Sequence, residues 1–256
     1  MYPFINILNY KIPVYGLLFV SGLIISYFFA YRRTIKRGLS ADGLLIITAF
    51  AISSAVFGAK ILYLSVSLPR ELLISLIKDG KFDLLMRGGF VFYGGLAGGI
   101  VGAALGAKIA GVSLLSYEAA IVPFIPLGHS FGRIGCFMSG CCFGIPYNGI
   151  PGICFPNSLA GLPPDMSVFP VQLLESAANL FICILLTVYS KKPRRKYDIT
   201  LLYLGLYSLC RFPLEFLRGD MARGLFLSIS TSQWISAAVA ISCLCYLFFR
   251  HKKQFL

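Results

Sequence analysis

The chain has 256 residues, of which 57% are apolar and 13% are charged, and its formal net charge is +13. Average soluble domains contain about 45–50% apolar residues with glycine included and about 25% charged residues. The composition therefore excludes a disordered chain and argues against an ordinary soluble domain. The excess of basic residues fits either a nucleic-acid-binding protein or a membrane protein with cations in its loops.

Seven apolar segments follow one another along the chain, each near or above the ~20 residues that cross ~30 Å of hydrocarbon as a helix. They comprise residues 13–31, 42–67, 88–110, 116–138, 170–189, 198–217 and 228–249. The fourth segment is the most polar, because Pro123, Pro126, His129 and Arg133 lie inside it. The pattern predicts an all-α polytopic membrane protein with seven transmembrane helices.

The positions of the cations favour the membrane protein over the nucleic-acid binder. The links after spans one, three and five and the tail hold Arg32, Arg33, Lys36, Arg37, Lys108, Lys191, Lys192, Arg194, Arg195, Lys196, Arg250, Lys252 and Lys253. The opposite links hold Lys11, Arg70, Lys78, Lys81, Arg87, Arg218 and Arg223, together with several acidic residues. By the positive-inside rule, we expect an outside N-terminus, a cytoplasmic C-terminus and no nucleic-acid partner. We predict one integral-membrane domain over 1–256, with an outer-face loop or small head region over 139–169.

Three cations, Lys60, Arg133 and Arg211, lie inside or at the edge of a span. An intramembrane charge costs about 2.5–3.5 kcal/mol even on a lenient insertion scale, so each is a functional candidate. Lys60 has a second interpretation, since its long stem could reach the interface. Arg133 offers a planar fork of donors that suits a phosphate. His129, four residues earlier, is either a general base on the same helix face or a histidine satisfied near the interface.

Small residues recur every four positions in the third span, at Gly94, Gly98, Gly102 and Gly106. Such a stripe lets another helix or a lipid chain approach the backbone closely, so we expect helix packing here. Tyr93, at the outer end of this span, is either an interfacial aromatic residue or a site residue.

The segment GHSFGRIGCFMSGCCFG, residues 128–144, joins one arginine to three cysteines. Cys136, Cys141 and Cys142 lie at the expected outer mouth, as does Cys154, so a structural role or a disulfide is the first interpretation and a reactive thiol the second. The C-x4-C-C spacing does not match a standard zinc pattern. We therefore expect no metal and no cofactor.

A late polar stripe is formed by Tyr207, Arg211, Glu215 and Arg218, whose spacings of four, four and three place them on one helix face. Paired charges of this kind either line a cavity for a polar ligand or form a structural ladder of salt bridges. The sequence FPVQLLE, residues 169–175, adds Gln172 and Glu175 at the outer start of the fifth span.

These motifs, taken in order, resemble those of the bacterial prolipoprotein diacylglyceryl transferases over most of the chain. IPVYGLLFVSG resembles the family's Tyr-Gly-Leu start, FGAKILY a Gly-Gly-Arg-hydrophobic-Tyr stretch with Lys60 in place of arginine, and FYGGLAGG a His-Gly-Gly-Leu segment. GRIGCFMSGCCFG is similar to the signature Gly-Arg-x-Gly-Asn-Phe-x-Asn-Gly-Glu. FPVQLLE and RFPLEFLRGD resemble a Pro-x-Gln-x-x-Glu and a late Arg-Phe-x-x-Glu-Phe-x-Arg element.

The resemblance implies a multi-pass enzyme of the bacterial cytoplasmic (inner) membrane, with its active site toward the outer face. Such enzymes move the diacylglyceryl group of phosphatidylglycerol to the lipobox cysteine of a prolipoprotein signal peptide, and glycerol-1-phosphate leaves. The implied partners are these two substrates and membrane lipid. The implied catalytic residues are Arg133, Arg211, Tyr93 and His129. The implied substrate-binding residues are Tyr15, Lys60, Gly94, Gly95, Gln172, Glu175, Tyr207, Glu215 and Arg218.

The chain departs from the family pattern at four positions that bear on the chemistry. Tyr93 stands where the family has histidine, and Cys136, Ser139 and Cys141 stand in place of two asparagines and a glutamate. A phenol with its ordinary pKa of about 10 is a poor base near pH 7. Either an arginine lowers the pKa of Tyr93, or His129 acts as the general base in its place. Alternatively, the positive charge of the arginines activates the thiol, or the acceptor is not a lipobox peptide. A same-fold transferase with a different acceptor, or a non-enzymatic lipid-binding or redox protein using the cysteines, are the alternatives.

Overall fold

The structure is a computed structural model that describes residues 2–7, 10–87, 89–193, 195–219, 225–227 and 229–252. Arg194, Arg223 and Lys253, three of the cations on which the predicted topology depends, lie outside the described residues. Within those ranges the chain is mostly helical, and its strands form three short antiparallel pairs.

The helices and strands have the following bounds. The helices are α1 Val14–Lys36, α2 Ala41–Val66, α3 Arg70–Lys78, α4 Phe82–Arg87, α5 Phe92–Ile109, α6 Glu118–Ile121, α7 Ile125–Ser139, α8 Val171–Tyr189, α9 Asp198–Leu214 and α10 Thr231–Lys252. The strands are β1 Phe4–Ile7, β2 Tyr10–Pro13, β3 Ile153–Cys154, β4 Ser167–Val168, β5 Leu225–Phe226 and β6 Ile229–Ser230, and each pairs with its neighbour in sequence. Turns of 3-10 helix occupy Leu114–Tyr117, Val122–Phe124 and Glu215–Leu217.

Among the described residues, four helices are long and apolar enough to cross a membrane: α1, α2, α5 and α8. Helices α7 and α9 are shorter, with 15 and 17 residues. The structure thus confirms an α-helical protein with helices of membrane-spanning length, while seven spans and their orientation stay a prediction.

The fourth predicted span is not one continuous helix. A 3-10 turn, α6, a second 3-10 turn and α7 follow one another from Leu114 to Ser139. Pro123 and Pro126 lie where the helical segments change, because proline has no backbone N–H to donate and restricts the residue before it. This break starts α7 at Ile125, shortly before His129 and Arg133.

The chain divides into two compact units, one formed by Met1–Ala30 with Glu118–Leu256 and the other by Tyr31–Tyr117. In the second unit, α2 and α5 pack along the glycine stripe. A Cβ built on Gly94 would meet the carbonyl oxygen of Gly58, and one on Gly98 would meet that of Ser54. The stripe is therefore a helix-packing surface, as the sequence predicts.

In the first unit, α8 packs against α7 and α9, and α10 packs against α9. Ile182, Leu186 and Ile199 form a buried core between α8 and α9. The start of α9 is held by Glu118, whose carboxylate accepts hydrogen bonds from the backbone N–H of Tyr197 at 3.0 Å and of Thr200 at 2.8 Å. The carboxylate satisfies two donors that a helix start leaves unpaired.

The predicted head region is tied to the rest of the first unit by backbone hydrogen bonds. The N–H of Gly144 donates to the carbonyl of Phe169 at 3.0 Å, and the N–H of Ile145 donates to that of Leu217 at 3.0 Å. The N–H of Gly219 donates to the carbonyl of Phe143 at 3.0 Å. The turn after α7 is thereby fixed to the segments that precede α8 and follow α9.

Candidate functional site

Three arginines from separate positions converge on Glu175 of α8. Nε of Arg133 lies 2.7 Å from Oε2 of Glu175, and Nη1 of Arg218 lies 3.3 Å from Oε1. Nη1 of Arg211 also pairs with Oε1, and its Nη2 pairs with Oε2 of Glu215 one turn later. Glu175 is therefore the common partner of α7, α9 and the segment after α9.

This arginine cluster is nearly closed to solvent. The side chains of Arg133, Arg211 and Arg218 are 15%, 9% and 2% exposed, and that of Glu175 is 3% exposed. Removing an ion from water costs several kcal/mol, so such charges persist only when partners or a ligand compensate them. Among the described residues, three guanidinium groups face two carboxylates.

A small cavity opens beside the cluster, between α7, α8 and α9. Its polar lining consists of His129, Arg133, Glu175, Asn179, Tyr207 and Arg211. The apolar part of the lining includes Ile182 and Leu214. The cavity joins cationic donors to an apolar wall, and it has room for about one water molecule.

The sequence places His129 and Arg133 on one helix face, and the structure confirms that both belong to α7 and line this cavity. The ring centroids of His129 and Tyr207 are 5.5 Å apart. One residue along, the hydroxyls of Ser130 and Ser176 are 2.7 Å apart and bind α7 to α8. This hydrogen bond joins the same two helices as the Arg133–Glu175 ion pair.

Asn179 is a member of the site that the sequence reasoning did not identify. It lies one helical turn after Glu175, to whose carbonyl its Nδ2 donates at 2.8 Å. Its Oδ1 is buried and has no hydrogen-bond partner among the described residues. The spacing of four from Glu175 was the available signal.

The cysteine-bearing turn adjoins the arginine cluster. The Sγ atoms of Cys136, Cys141 and Cys142 lie within 4.8 Å of one another. Hydrogen bonds from Cys136 and Cys141, together with the charge of Arg218, lower the pKa of the Cys142 thiol below its ordinary value. All eight cysteines are free thiols, so the structure does not pair Cys154 with this group.

Backbone geometry fixes this turn. Gly140 ends α7 in the left-handed region at φ 65°, and Cys142 also has a positive φ, 57°. A non-glycine residue there costs of order 1–3 kcal/mol and points to a position that its surroundings hold. Gln172, which is fully buried, donates from Nε2 to the carbonyl of Cys141 at 2.9 Å. Gln172 thus positions the turn, and its binding of substrate stays a prediction.

Tyr15 begins α1 and lies against α7, since a Cβ built on Gly135 would be 3.0 Å from its Cδ2. Its ring stacks with that of Phe19, with centroids 6.1 Å apart. Tyr15 therefore lies beside the helix that carries Arg133, and its binding of substrate stays a prediction.

Four predicted site residues lie in the second unit. Tyr93, 41% exposed, and the packed Gly94 belong to α5, where Gly95 would place a Cβ 3.4 Å from that of Ala59. Lys60 is 7% exposed, and its Nζ lies 5.3 Å and 5.0 Å from the ring centroids of Tyr63 and Phe90. The ammonium is therefore held by aromatic faces and does not reach the surface.

Four helices of membrane-spanning length and a buried cluster of arginines and glutamates are the features of an α-helical membrane protein. The chain belongs to the prolipoprotein diacylglyceryl transferase family, whose sequence profile matches residues 3–249.

Three relatives carry the name phosphatidylglycerol–prolipoprotein diacylglyceryl transferase. One from Clostridium perfringens is 34% identical over 92% of this chain and 90% of its own length. One from Clostridium tetani is 32% identical over 88% of each chain. One from Lysinibacillus sphaericus is 32% identical over 82% of this chain and 78% of its own.

Proposed function

We propose that this chain transfers the diacylglyceryl group of phosphatidylglycerol to the lipobox cysteine of a prolipoprotein signal peptide and releases glycerol-1-phosphate. The observation that carries the proposal is the convergence of Arg133, Arg211 and Arg218 on Glu175 beside a cavity between apolar helices. The guanidinium groups supply the hydrogen-bond donors that the oxygens of a phosphodiester accept. The names of the relatives supply the two substrates.

Arg133 and Arg211 have the chemistry to hold the phosphate. When the thiolate sulfur attacks the glycerol carbon that bears the phosphate, the C–O bond breaks and negative charge grows on the departing oxygen. Guanidinium donors fixed in place before the reaction stabilise that charge where it develops. Glu175 and Glu215 keep the donors in position, which a mobile side chain could not do without an entropic cost.

The bilayer would deliver the lipid, because the site lies between apolar helices and needs no soluble carrier. We place the protein in the bacterial cytoplasmic (inner) membrane as a multi-pass enzyme with its site toward the outer face. The asymmetry of the basic residues supports this orientation. The acceptor signal peptide would approach from the side of the cysteine-bearing turn and residues 139–169, which adjoin the arginine cluster.

The test measures transfer of labelled diacylglyceryl from phosphatidylglycerol vesicles to a lipobox peptide by the full-length protein. We expect Arg133→Ala to lower the rate at least about 100-fold, as loss of one preorganised donor does in other enzymes. Arg70→Ala, which removes an exposed arginine at the start of α3, is the matched control and should transfer normally.

Two further controls change the acceptor peptide and the lipid donor. A peptide with serine in place of the lipobox cysteine should accept nothing. Vesicles of phosphatidylcholine alone should donate nothing, because the bound headgroup would then carry an extra cation against the arginines. If the wild-type protein in phosphatidylglycerol vesicles modifies no peptide, or Arg133→Ala transfers at the wild-type rate, the proposal fails.

A further inference from the structure

The turn that follows α7 brings three thiols together although its C-x4-C-C spacing matches no standard zinc pattern. Cys136 lies in the last turn of α7, and the left-handed Gly140 reverses the chain so that Cys141 and Cys142 return to it. The three Sγ atoms lie within 4.8 Å of one another. Proximity in space, and not spacing in sequence, makes them a group.

The separation of the thiols suits one soft metal ion. Zn–S bonds are about 2.3 Å, so tetrahedral thiolates lie about 3.8 Å apart. Closing the three sulfurs onto an ion would need movements of about 1 Å or less. Among the described residues, the group contains three donors and no fourth. Structural zinc sites use four protein ligands, whereas three ligands with one open position are typical of catalytic sites.

The supporting contacts are those of a built site. Gln172, fully buried, donates to the carbonyl of Cys141 at 2.9 Å. The N–H of Cys141 donates to the carbonyl of Cys136 at 3.1 Å. Arg218 pairs with Glu175 at 3.3 Å, and the N–H of the next residue, Gly219, donates to the carbonyl of Phe143 at 3.0 Å, beside Cys142. Outer contacts of this kind orient ligands before a metal arrives, and a nearby cation offsets the net negative charge of three thiolates on one divalent ion.

We propose that Cys136, Cys141 and Cys142 bind one Zn²⁺, and that its open position takes the acceptor cysteine of the substrate peptide. This inference rests on the proposed function. Arg133 and Cys136 are three residues apart on α7, so the metal-bound acceptor and the lipid phosphate would occupy neighbouring sites. Coordination deprotonates a thiol outright, which removes the need for the general base that is absent at Tyr93.

The chemical balance is simple and involves no oxidation or reduction. The acceptor thiol loses its proton to solvent on binding. Its sulfur then forms a C–S bond to the glycerol carbon that bears the phosphate. The C–O bond to the phosphate breaks, glycerol-1-phosphate leaves with the electron pair, and Zn²⁺ remains divalent. The product thioether is a weaker ligand than a thiolate, so the site can release it.

The first test is metal binding by the full-length protein in detergent micelles. We expect close to one zinc per chain, and Co²⁺ substitution should give the intense near-ultraviolet band of sulfur-to-cobalt charge transfer. Cys136→Ser, Cys141→Ser and Cys142→Ser should each lower affinity at least about tenfold, since loss of an outer-shell contact alone costs 10–100-fold. Cys154→Ser, which removes an exposed thiol outside the group, should retain both zinc and the band.

The second test adds a lipobox peptide to the Co²⁺ protein. A fourth thiolate should strengthen the band, and the serine peptide should leave it unchanged. No metal in the wild type, a disulfide among the three cysteines, or full metal retention in the three variants would overturn the inference. An unchanged band with the cysteine peptide would also overturn it.

The outcomes separate this inference from the proposed function. Normal transfer by a zinc-free Cys136→Ser, Cys141→Ser or Cys142→Ser protein would reject the metal site and leave the transferase intact. A wild type whose Co²⁺ form changes its band with the peptide, but whose zinc-loaded form transfers no lipid, would reject the transferase and leave the thiol site intact. Arg133→Ala should keep the band and lose transfer.

Discussion

At the scale of single residues, Glu175 is the residue on which the site depends most. One carboxylate holds guanidinium groups from three parts of the chain, and all of them are largely buried. Arg133, Arg211 and Arg218 all pair with this carboxylate, and Arg211 also pairs with Glu215. The position of Glu175, and not the number of arginines, keeps the cluster together.

We therefore expect Glu175→Gln to destabilise the protein by about 3–5 kcal/mol, because removing one partner of a buried pair leaves uncompensated charge. The measurement is the thermal unfolding midpoint in detergent, with the yield of folded protein from membranes. Glu71→Gln, at an exposed position of α3, is the control and should unfold like the wild type. An unchanged midpoint for Glu175→Gln would contradict the structural role of this carboxylate.

The sequence identified most of these residues, and the physical reason is that helical spacing is visible in it. The spacing of four residues predicts that His129 lies near Arg133 on one helix face. The same spacing separates Arg211 from Glu215. The prediction that Arg218 continues the helical stripe is wrong, because α9 ends at Leu214 and Arg218 lies in extended backbone. Its contact with Glu175 therefore did not follow from the spacing. The three thiols likewise come together only because Gly140 adopts a left-handed conformation, which their spacing in the sequence does not reveal.

At the scale of helices, the α2–α5 pair depends on glycine at one face of α5. A Cβ on Gly98 would meet the carbonyl oxygen of Ser54. A Cβ on the neighbouring Gly99 would lie 3.5 Å from the Cβ of Ala55. The first position has no room for a methyl group, and the second accepts one in ordinary van der Waals contact.

We expect Gly98→Ala to lower stability by about 1–3 kcal/mol, as overpacking of a close interface does. Gly99→Ala is the matched variant and should be neutral or slightly stabilising, because alanine loses less backbone freedom on folding. Thermal unfolding of both proteins in the same detergent gives the comparison. Equal midpoints would show that the two helices do not touch along this face.

Helices α3 and α4 show what the sequence did not reveal at this scale. They occupy Arg70–Lys78 and Phe82–Arg87, within a link between two predicted spans. Segments of nine and six residues are too short for a hydropathy pattern to distinguish from a loop. The broken helix before α7 was missed for the opposite reason, since its apolar composition continues across the two prolines.

At the scale of the whole molecule, the charge pattern predicts an odd number of spans with the C-terminus in the cytoplasm. A fluorescent protein fused after the C-terminus should therefore fluoresce, and alkaline phosphatase fused at the same point should be inactive. Fusions within residues 145–165 should give the reverse result. An active phosphatase at the C-terminus would contradict the predicted cytoplasmic C-terminus.

Helix α9 is fastened at both extremities. At the start of α9, Glu118 accepts hydrogen bonds from two backbone N–H groups. Near the end of α9, Arg211 forms ion pairs with Glu175 and Glu215. A rod anchored at two points cannot slide along its own axis or turn about it. It can only bow outward between the anchors, in the stretch where Tyr203 and Tyr207 lie. Motion of α9 is therefore expected in its middle, while Arg211 keeps its position beside Glu175.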